Sequence, residues 1–168
     1  MRAEIRGLTL WRPWSGAISW CGKRCENRSW RPKWIGQQQS PTEPGVFRVV
    51  DPFYLAIHGG KKQEPVRVVE ECLRLGLAAG YEAPRFRMHE TGIVAVARLV
   101  GFLHAEAFPG SCFEDDPQVG PWFCGPWGWL LDGVKPLPKP VECKGAQGLW
   151  RLPDDVLERV RFEWRNAA

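Results

Sequence analysis

The alternation of apolar and polar positions along the chain predicts a fold rich in short strands. The clearest segment covers residues 92–103, where both alternating faces are apolar except at Arg98. A strand that is apolar on both faces lies inside a sheet, or in a barrel wall that a helix covers. We therefore expect residues 92–103 to form a central strand.

Shorter apolar runs predict further strands around this centre. They are expected at residues 8–11, 53–58, 127–131 and 141–152. Turn residues bound most of them, and Gly59-Gly60 closes the run at 53–58. The polar segment 37–45 and residues 105–126 are predicted to be loops.

Three helices are predicted outside the sheet, the first two from the helical spacing of apolar residues and the third from the start signal Pro153-Asp154-Asp155. They are expected at about residues 13–20, 65–79 and 153–165. Proline stands near the start of each helix, and Gly22 and Gly80 follow the first two. The roles of loop 37–45 and helix 65–79 are not determined by the sequence.

Length and composition limit the class of protein. With 168 residues, 44% hydrophobic and 25% charged, the chain suits one globular domain over residues 1–168. Ten Trp, 18 Gly and 15 Pro favour short strands joined by tight turns over long helices. We expect an α+β fold of short strands with short flanking helices.

Charge is distributed unevenly along the chain. Residues 1–62 carry 11 Lys and Arg against 4 Asp and Glu, whereas the remaining residues carry 12 against 15. A basic half in a nearly neutral protein is typical of a surface that meets a polyanion. A solvated face with no partner is the alternative.

Cysteine and histidine usage argues against a metal site. Cys21 and Cys25 have no matching downstream pair, and His58, His89 and His104 are scattered. We expect no metal and no cofactor. The chain shows no signal-peptide pattern near its start and no apolar run of about 20 residues, so we expect a cytoplasmic protein with free thiols and no membrane partner.

The segment Gly22-Lys23-Arg24-Cys25-Glu26-Asn27-Arg28 carries the clearest candidate chemistry. It follows the first predicted helix and should enter an extended stretch, in which Glu26 and Arg28 point the same way. Lys23 and Glu26 are candidate catalytic residues, acting as an acid–base pair. Alternatively, Glu26 pairs with Arg28 or Arg24 to hold a turn.

These residues and five other blocks resemble one family. The G-x-K-x-x-E-x-R pattern resembles the ASCH domain, which is related to PUA RNA-binding barrels. Blocks at 8–14, 54–61, 92–100, 125–131 and 140–150 are similar, in order, to stand-alone bacterial and phage members. The resemblance implies a PUA-like small β-barrel with RNA or a nucleoside or nucleotide as its partner.

The resemblance, with the residue chemistry, predicts a basic cleft lined by tryptophan. Aromatic rings stack on bases, and Lys and Arg contact phosphate. The candidate ligand-binding residues are Trp11, Arg12, Trp14, Arg24, Arg28, His58, Lys61, Lys144 and Gln147. Core packing of each tryptophan, a structural role for His58 and an ordinary glycine turn around Gln147 are the alternatives.

Two other functions stay open at this point. Some ASCH proteins are similar to amidohydrolases that deacylate cytidine with a lysine, a threonine three residues later and a glutamate on a later strand. Here Lys23 matches, but Glu26 replaces the threonine and residues 93–100 hold no glutamate. A hydrolase acting on N-acylated cytidine or RNA is one alternative, and a protein-interaction domain using Glu114-Asp115-Asp116 is the other.

Overall fold

The computed structural model describes residues 3–168 of the chain. Residues 1 and 2, which the predicted domain includes, lie outside the described residues. The strands are β1 Glu4–Arg12, β2 Cys25–Arg28, β3 Gln37–Gln39, β4 Val46–Val49, β5 Phe53–Gln63, β6 Gly92–His104, β7 Trp127–Val141 and β8 Leu149–Trp150. The helices are α1 Trp14–Trp20, α2 Val66–Ala78 and α3 Asp154–Asn166. The α+β class is confirmed.

Contacts divide the chain into two compact units. The first contains residues 3–22 together with Tyr54–Ala97 and Gly133–Ala168, and the second contains Lys23–Phe53 and Arg98–Asp132. Strands β6 and β7 contribute residues to both units. The expectation of one domain stays a prediction.

The first unit contains the three helices and a sheet in the order β7-β6-β5-β1-β8. Strands β1 and β8 are antiparallel, with Gly7 opposite Trp150. A Cβ atom on Gly7 would lie 2.2 Å from the Trp150 ring, so only glycine leaves room for the indole there. The apolar core of this unit comprises Ala56, Ile93, Val96, Leu137, Val141, Trp150, Leu152, Val156 and Val160.

The second unit contains three antiparallel strand pairings. Strand β2 pairs with β7 from Cys25 opposite Leu130 to Arg28 opposite Trp127, and β4 pairs with β6. The predicted loop at 37–45 is wrong at its start, because Gln37–Gln39 form β3 against β4. Glutamine is tolerated there because all three side chains are at least partly exposed.

Several predicted elements agree with the structure, and one strand does not. The three helices lie within two residues of their predicted bounds, and β6 covers residues 92–103. The strand predicted at 141–152 is wrong: β7 runs on to Val141, and only Leu149–Trp150 return to the sheet. Residues 142–148 between them have no regular secondary structure, since two glycines interrupt the segment and Gly148 has a φ of 67°.

Candidate functional site

A cleft of about 530 Å³ lies in the first unit, between the end of β5 and the segment 142–147. It brings together four of the ligand-binding residues proposed from the sequence. These are His58, Lys61, Lys144 and Gln147. Nearly ninety residues separate the two pairs along the chain, so the sheet brings them together.

Two glycines and an arginine determine the position of the β5 backbone in the cleft wall. A Cβ atom on Gly59 would lie 2.4 Å from the carbonyl oxygen of Glu90, which makes glycine necessary at this crossing. Arg12 donates to the carbonyl oxygens of Gly60 at 2.9 Å and of Lys61 at 2.8 Å. It also donates to the carbonyl oxygen of His89 at 2.8 Å. The structure thus places Arg12 as an anchor of the cleft wall.

His58 is buried in the wall of the cleft, with 5% of its surface exposed. Its Nε2 lies 3.0 Å from the carbonyl oxygen of Cys143. Its ring meets the indole of Trp150 edge-on, with centroids 5.7 Å apart. Within residues 3–168, its Nδ1 has no hydrogen-bond partner. Within the described residues, His58 therefore has a hydrogen-bond partner at one of its two ring nitrogens.

Gly145 lies against the imidazole of His58. A Cβ atom there would come within 2.8 Å of His58 Nδ1 and within 2.5 Å of Thr9 Oγ1. Any side chain at position 145 would push against both groups. The glycine turn therefore has a packing role beyond connecting two strands.

The rim of the cleft combines two lysines with one carboxylate. Lys61 and Lys144 are exposed, as is Gln147. The carboxylate of Glu142 accepts a hydrogen bond from Thr91 Oγ1 at 3.2 Å. Burial raises the pKa of the neighbouring Cys143 thiol above its usual range, so this thiol is a weak nucleophile. The rim offers donors and positive charge more than nucleophiles.

The signature residues form a buried ion pair in the second unit. Lys23 Nζ lies 2.6 Å from Glu26 Oε2, and the side chains are 2% and 10% exposed. Arg28 Nε lies 3.8 Å from the other carboxylate oxygen. Glu26 thus lies closer to Lys23 than to Arg28. If Glu26 holds a turn by pairing with a cation, as in the alternative above, its nearer partner is Lys23.

Strand pairing explains the position of this ion pair. The backbone of Arg24 donates to Gln118 at 2.8 Å and accepts from Leu131 at 3.0 Å, which holds the signature turn in place. Glu26 lies opposite Trp129 in the β2–β7 pair. Burial raises the pKa of Cys25, between Arg24 and Glu26, to about 12, so its thiol stays protonated.

The proposed tryptophans occupy varied environments. Trp11 is 49% exposed, and Lys62 Nζ lies 5.1 Å from the centre of its ring. Trp14 is half-buried in α1. The described lining of the 530 Å³ cleft contains neither of them.

The second unit presents aromatic residues that the sequence reasoning missed as a group. Trp34 is 57% exposed and Trp30 is 39% exposed, with the cation Lys33 between them in the chain. The guanidinium of Arg31 lies 4.0 Å from the ring centre of Phe47. The local sequence WRPKW at residues 30–34, in which two cations lie between two tryptophans, could have identified this group.

The acidic segment at 114–116 caps local turns. Glu114 accepts from the backbone of Gly110 at 2.7 Å, and Asp116 accepts from the backbone of Gln118 at 2.8 Å. Both carboxylates therefore stabilise the loop in which they lie.

Among residues 3–168, no group of three or more His, Cys, Asp or Glu is arranged to hold a metal ion. No helix in that range has the length and apolar character to cross a bilayer. No protein-family model matches the chain, and a search of curated proteins returns no match.

Proposed function

We propose that this protein binds RNA or a nucleotide in the cleft of its first unit, as a cytoplasmic ASCH domain with a PUA-like small β-barrel. The supporting observation is that His58, Lys61, Lys144 and Gln147 line one cleft. Two of the five blocks that resemble the ASCH family supply these four residues.

The volume and charge of the cleft suit a nucleotide. Its volume of about 530 Å³ falls in the range of about 300–1,000 Å³ that is usual for small-ligand sites. The ammonium groups of Lys61 and Lys144 are exposed and available to phosphate oxygens. The side-chain amide of Gln147 can both donate to and accept from a base edge.

The backbone around the cleft supports close approach of a ligand. Gly59, Gly60 and Gly145 all contribute to its lining, so no side chain projects from these positions. Main-chain groups supply many of the contacts to phosphate and sugar oxygens in nucleic-acid sites. Arg12 fixes this backbone through Gly60 and Lys61.

A salt titration tests the proposal. The affinity for a mixed single-stranded RNA should fall as salt rises, and Lys61→Gln/Lys144→Gln should flatten the slope of log affinity against log salt by about 1.4. Lys135→Gln is the matched control, because Lys135 is exposed on β7 and does not line the cleft. An unchanged slope in the double variant, or equal slopes in both variants, would refute the site.

A hydrolase is the second candidate, and the contact between Lys23 and Glu26 favours it. At 2.6 Å the ammonium and the carboxylate are close enough to exchange a proton. The test is mass spectrometry of N-acylated cytidines and single-stranded RNA after incubation with the protein. Turnover that Lys23→Met abolishes, while the circular-dichroism spectrum is retained, would support an enzyme. Absence of turnover would refute it.

A further inference from the structure

One face of the sheet in the first unit carries the floor of the cleft and continues beyond it. On β1, Leu8 and Leu10 are buried in the core, so Thr9 and Trp11 project from the opposite face. Thr9 lines the cleft, and its Oγ1 accepts a hydrogen bond from the indole N–H of Trp150 at 3.2 Å. Trp11 therefore lies on the face that carries the cleft, about 7 Å beyond Thr9 along the strand.

Strand β5, the neighbour of β1 in the sheet, continues this face in the same direction. A Cβ atom on Gly60 would lie 3.1 Å from Thr9 Cγ2, so Gly60 and Thr9 share one side of the sheet. Lys62 stands two residues beyond Gly60 and returns to this side. Its Nζ lies 5.1 Å from the centre of the Trp11 ring. Trp11 and Lys62 thus form a pair that adjoins the end of the cleft.

Hydrogen bonds fix the backbone beneath this pair. The guanidinium of Arg12 donates to the carbonyl oxygens of Gly60 and Lys61. The carbonyl oxygen of Arg12 accepts from the backbone N–H of Glu64 at 2.7 Å. These bonds join β5 to Arg12 both before and after Lys62, so little backbone has to be ordered when a ligand binds.

Trp11 and Lys62 are both open to solvent. Trp11 is 49% exposed, and Lys62 is exposed beside it. Tryptophan is highly buried on average, so an indole as open as this is unusual. Bases of single-stranded nucleic acids stack on such rings, and a neighbouring cation contacts phosphate. The pair therefore has the chemistry of a nucleotide-stacking platform.

We infer that the ligand of this protein is a single-stranded oligonucleotide, with one nucleotide in the cleft and a following base stacked on Trp11 beside Lys62. This inference rests on the proposed function and adds the length of the ligand. Successive bases of one strand lie about 3.4 Å apart when stacked and further apart when the strand is extended. The separation of roughly 7 Å between Thr9 and Trp11 thus corresponds to one or two nucleotide steps.

Two exposed tryptophans allow a matched comparison. Trp11→Ala removes the stacking surface, whereas Trp11→Phe retains a smaller ring. Trp34→Ala in the second unit is the control, because Trp34 is 57% exposed and also has a lysine, Lys33, beside it in the chain. The circular-dichroism spectrum of each variant should match that of the unaltered protein.

The first measurement is the affinity for a mixed-sequence single-stranded RNA hexamer. Trp11→Ala should weaken binding by about tenfold and Trp11→Phe by less, whereas Trp34→Ala should leave it unchanged. An unchanged affinity in Trp11→Ala would overturn the inference. Equal losses in Trp11→Ala and Trp34→Ala would also overturn it, since stacking would then not belong to the face that carries the cleft.

The second measurement uses the unaltered protein, so it does not depend on the folding of any variant. ¹H–¹⁵N spectra are recorded with the hexamer and with each nucleoside 5′-monophosphate, and Trp11→Phe identifies the Trp11 indole signal. The hexamer should shift the backbone amides of Gly60 and Gly145 together with the Trp11 indole. The monophosphates should shift the two amides and leave the indole in place.

The spectra separate failure of the inference from failure of the proposed function. A hexamer that shifts the amides of Gly60 and Gly145 without the Trp11 indole would overturn the inference and leave the binding function intact. A monophosphate that shifts the indole as much as the hexamer does would also overturn it, because Trp11 would then belong to a site for one nucleotide. If neither ligand shifts any of these signals, the proposed function itself fails.

Discussion

Lys23 and Glu26 are buried against each other, with Nζ and Oε2 2.6 Å apart. Desolvation of two charges costs several kcal/mol, which their contact and the nearby Arg28 offset. The pair thus contributes little net stability but makes each partner dependent on the other. Loss of one partner should therefore be far more damaging than loss of both.

The first prediction concerns this dependence. Lys23→Met should lower the free energy of unfolding by about 3–5 kcal/mol, because it removes the cation that lies 2.6 Å from a buried carboxylate and leaves Arg28 Nε at 3.8 Å. Lys23→Met/Glu26→Leu should recover most of that loss. Urea unfolding followed by circular dichroism measures both changes. A double variant that is less stable than the single one would contradict this account.

The second prediction concerns the packing of Gly7 against Trp150. Gly7→Ala should destabilise the protein by about 1–3 kcal/mol, because its Cβ would lie 2.2 Å from the indole ring. Trp150→Phe removes the larger ring, so Gly7→Ala should cost less in that background. Thermal unfolding of the four proteins in a double-mutant cycle measures the coupling. Additive effects would show that the two residues do not interact.

The third prediction concerns Arg12, which donates to three carbonyl oxygens at 2.8–2.9 Å. Arg12→Lys keeps the charge but loses the planar fork of donors, so it should cost about 1–3 kcal/mol of stability. It should also weaken RNA binding, since the backbone of Gly60 and Lys61 is released. Urea unfolding and the RNA titration report the two effects. Arg12→Lys with unchanged stability would exclude the anchoring role.

The fourth prediction concerns thiol reactivity. Cys112 and Cys124 are exposed, whereas Cys21, Cys25 and Cys72 are buried. Burial raises the pKa of Cys21 to about 11 and the pKa of Cys25 to about 12. At about pH 8 a thiol reagent should modify Cys112 and Cys124 in the folded protein within minutes and all six cysteines after unfolding. Rapid modification of Cys25 in the native protein would contradict its burial.

The thiols of Cys21 and Cys25 should also make the free energy of unfolding depend on pH in the alkaline range. Their ordinary pKa is 9.0 and their folded pKa is higher, so above about pH 9 the unfolded chain releases protons that the folded chain retains. Stability contributed by the protonated thiols should therefore fall as the pH rises beyond that value. Urea unfolding at about pH 8 and pH 10 tests the direction. Replacing both thiols by Ala should reduce the slope.

Most of the helices and the central strand could be predicted from the local sequence, because their apolar residues recur at regular spacing. Helices α1 and α2 and the central strand β6 follow from apolar spacing, and α3 follows from its start signal Pro153-Asp154-Asp155. Strand β3 was not predictable in this way. Gln37–Gln39 have no apolar pattern, and only pairing with β4 makes them a strand.

Residue chemistry identified candidate site residues, but tertiary structure decided their roles. The sequence nominated His58, Lys61, Lys144 and Gln147 separately, and the sheet brought them to one cleft. The sequence also nominated Arg12 as a ligand residue, and only the structure shows that its guanidinium donates to the carbonyl oxygens of Gly60 and Lys61. Hydrogen-bond partners depend on positions in space, which spacing along the chain does not contain.

The sequence by itself determined the α+β class, the positions of the helices and the residue types available for a polyanion. Only the tertiary structure decided that Lys23 is buried on Glu26 and that Nδ1 of His58 lacks a partner. Periodicity encodes which face of an element is apolar. Burial and pairing of a particular polar atom depend on residues distant in the chain, and those distances are set when the sheet forms.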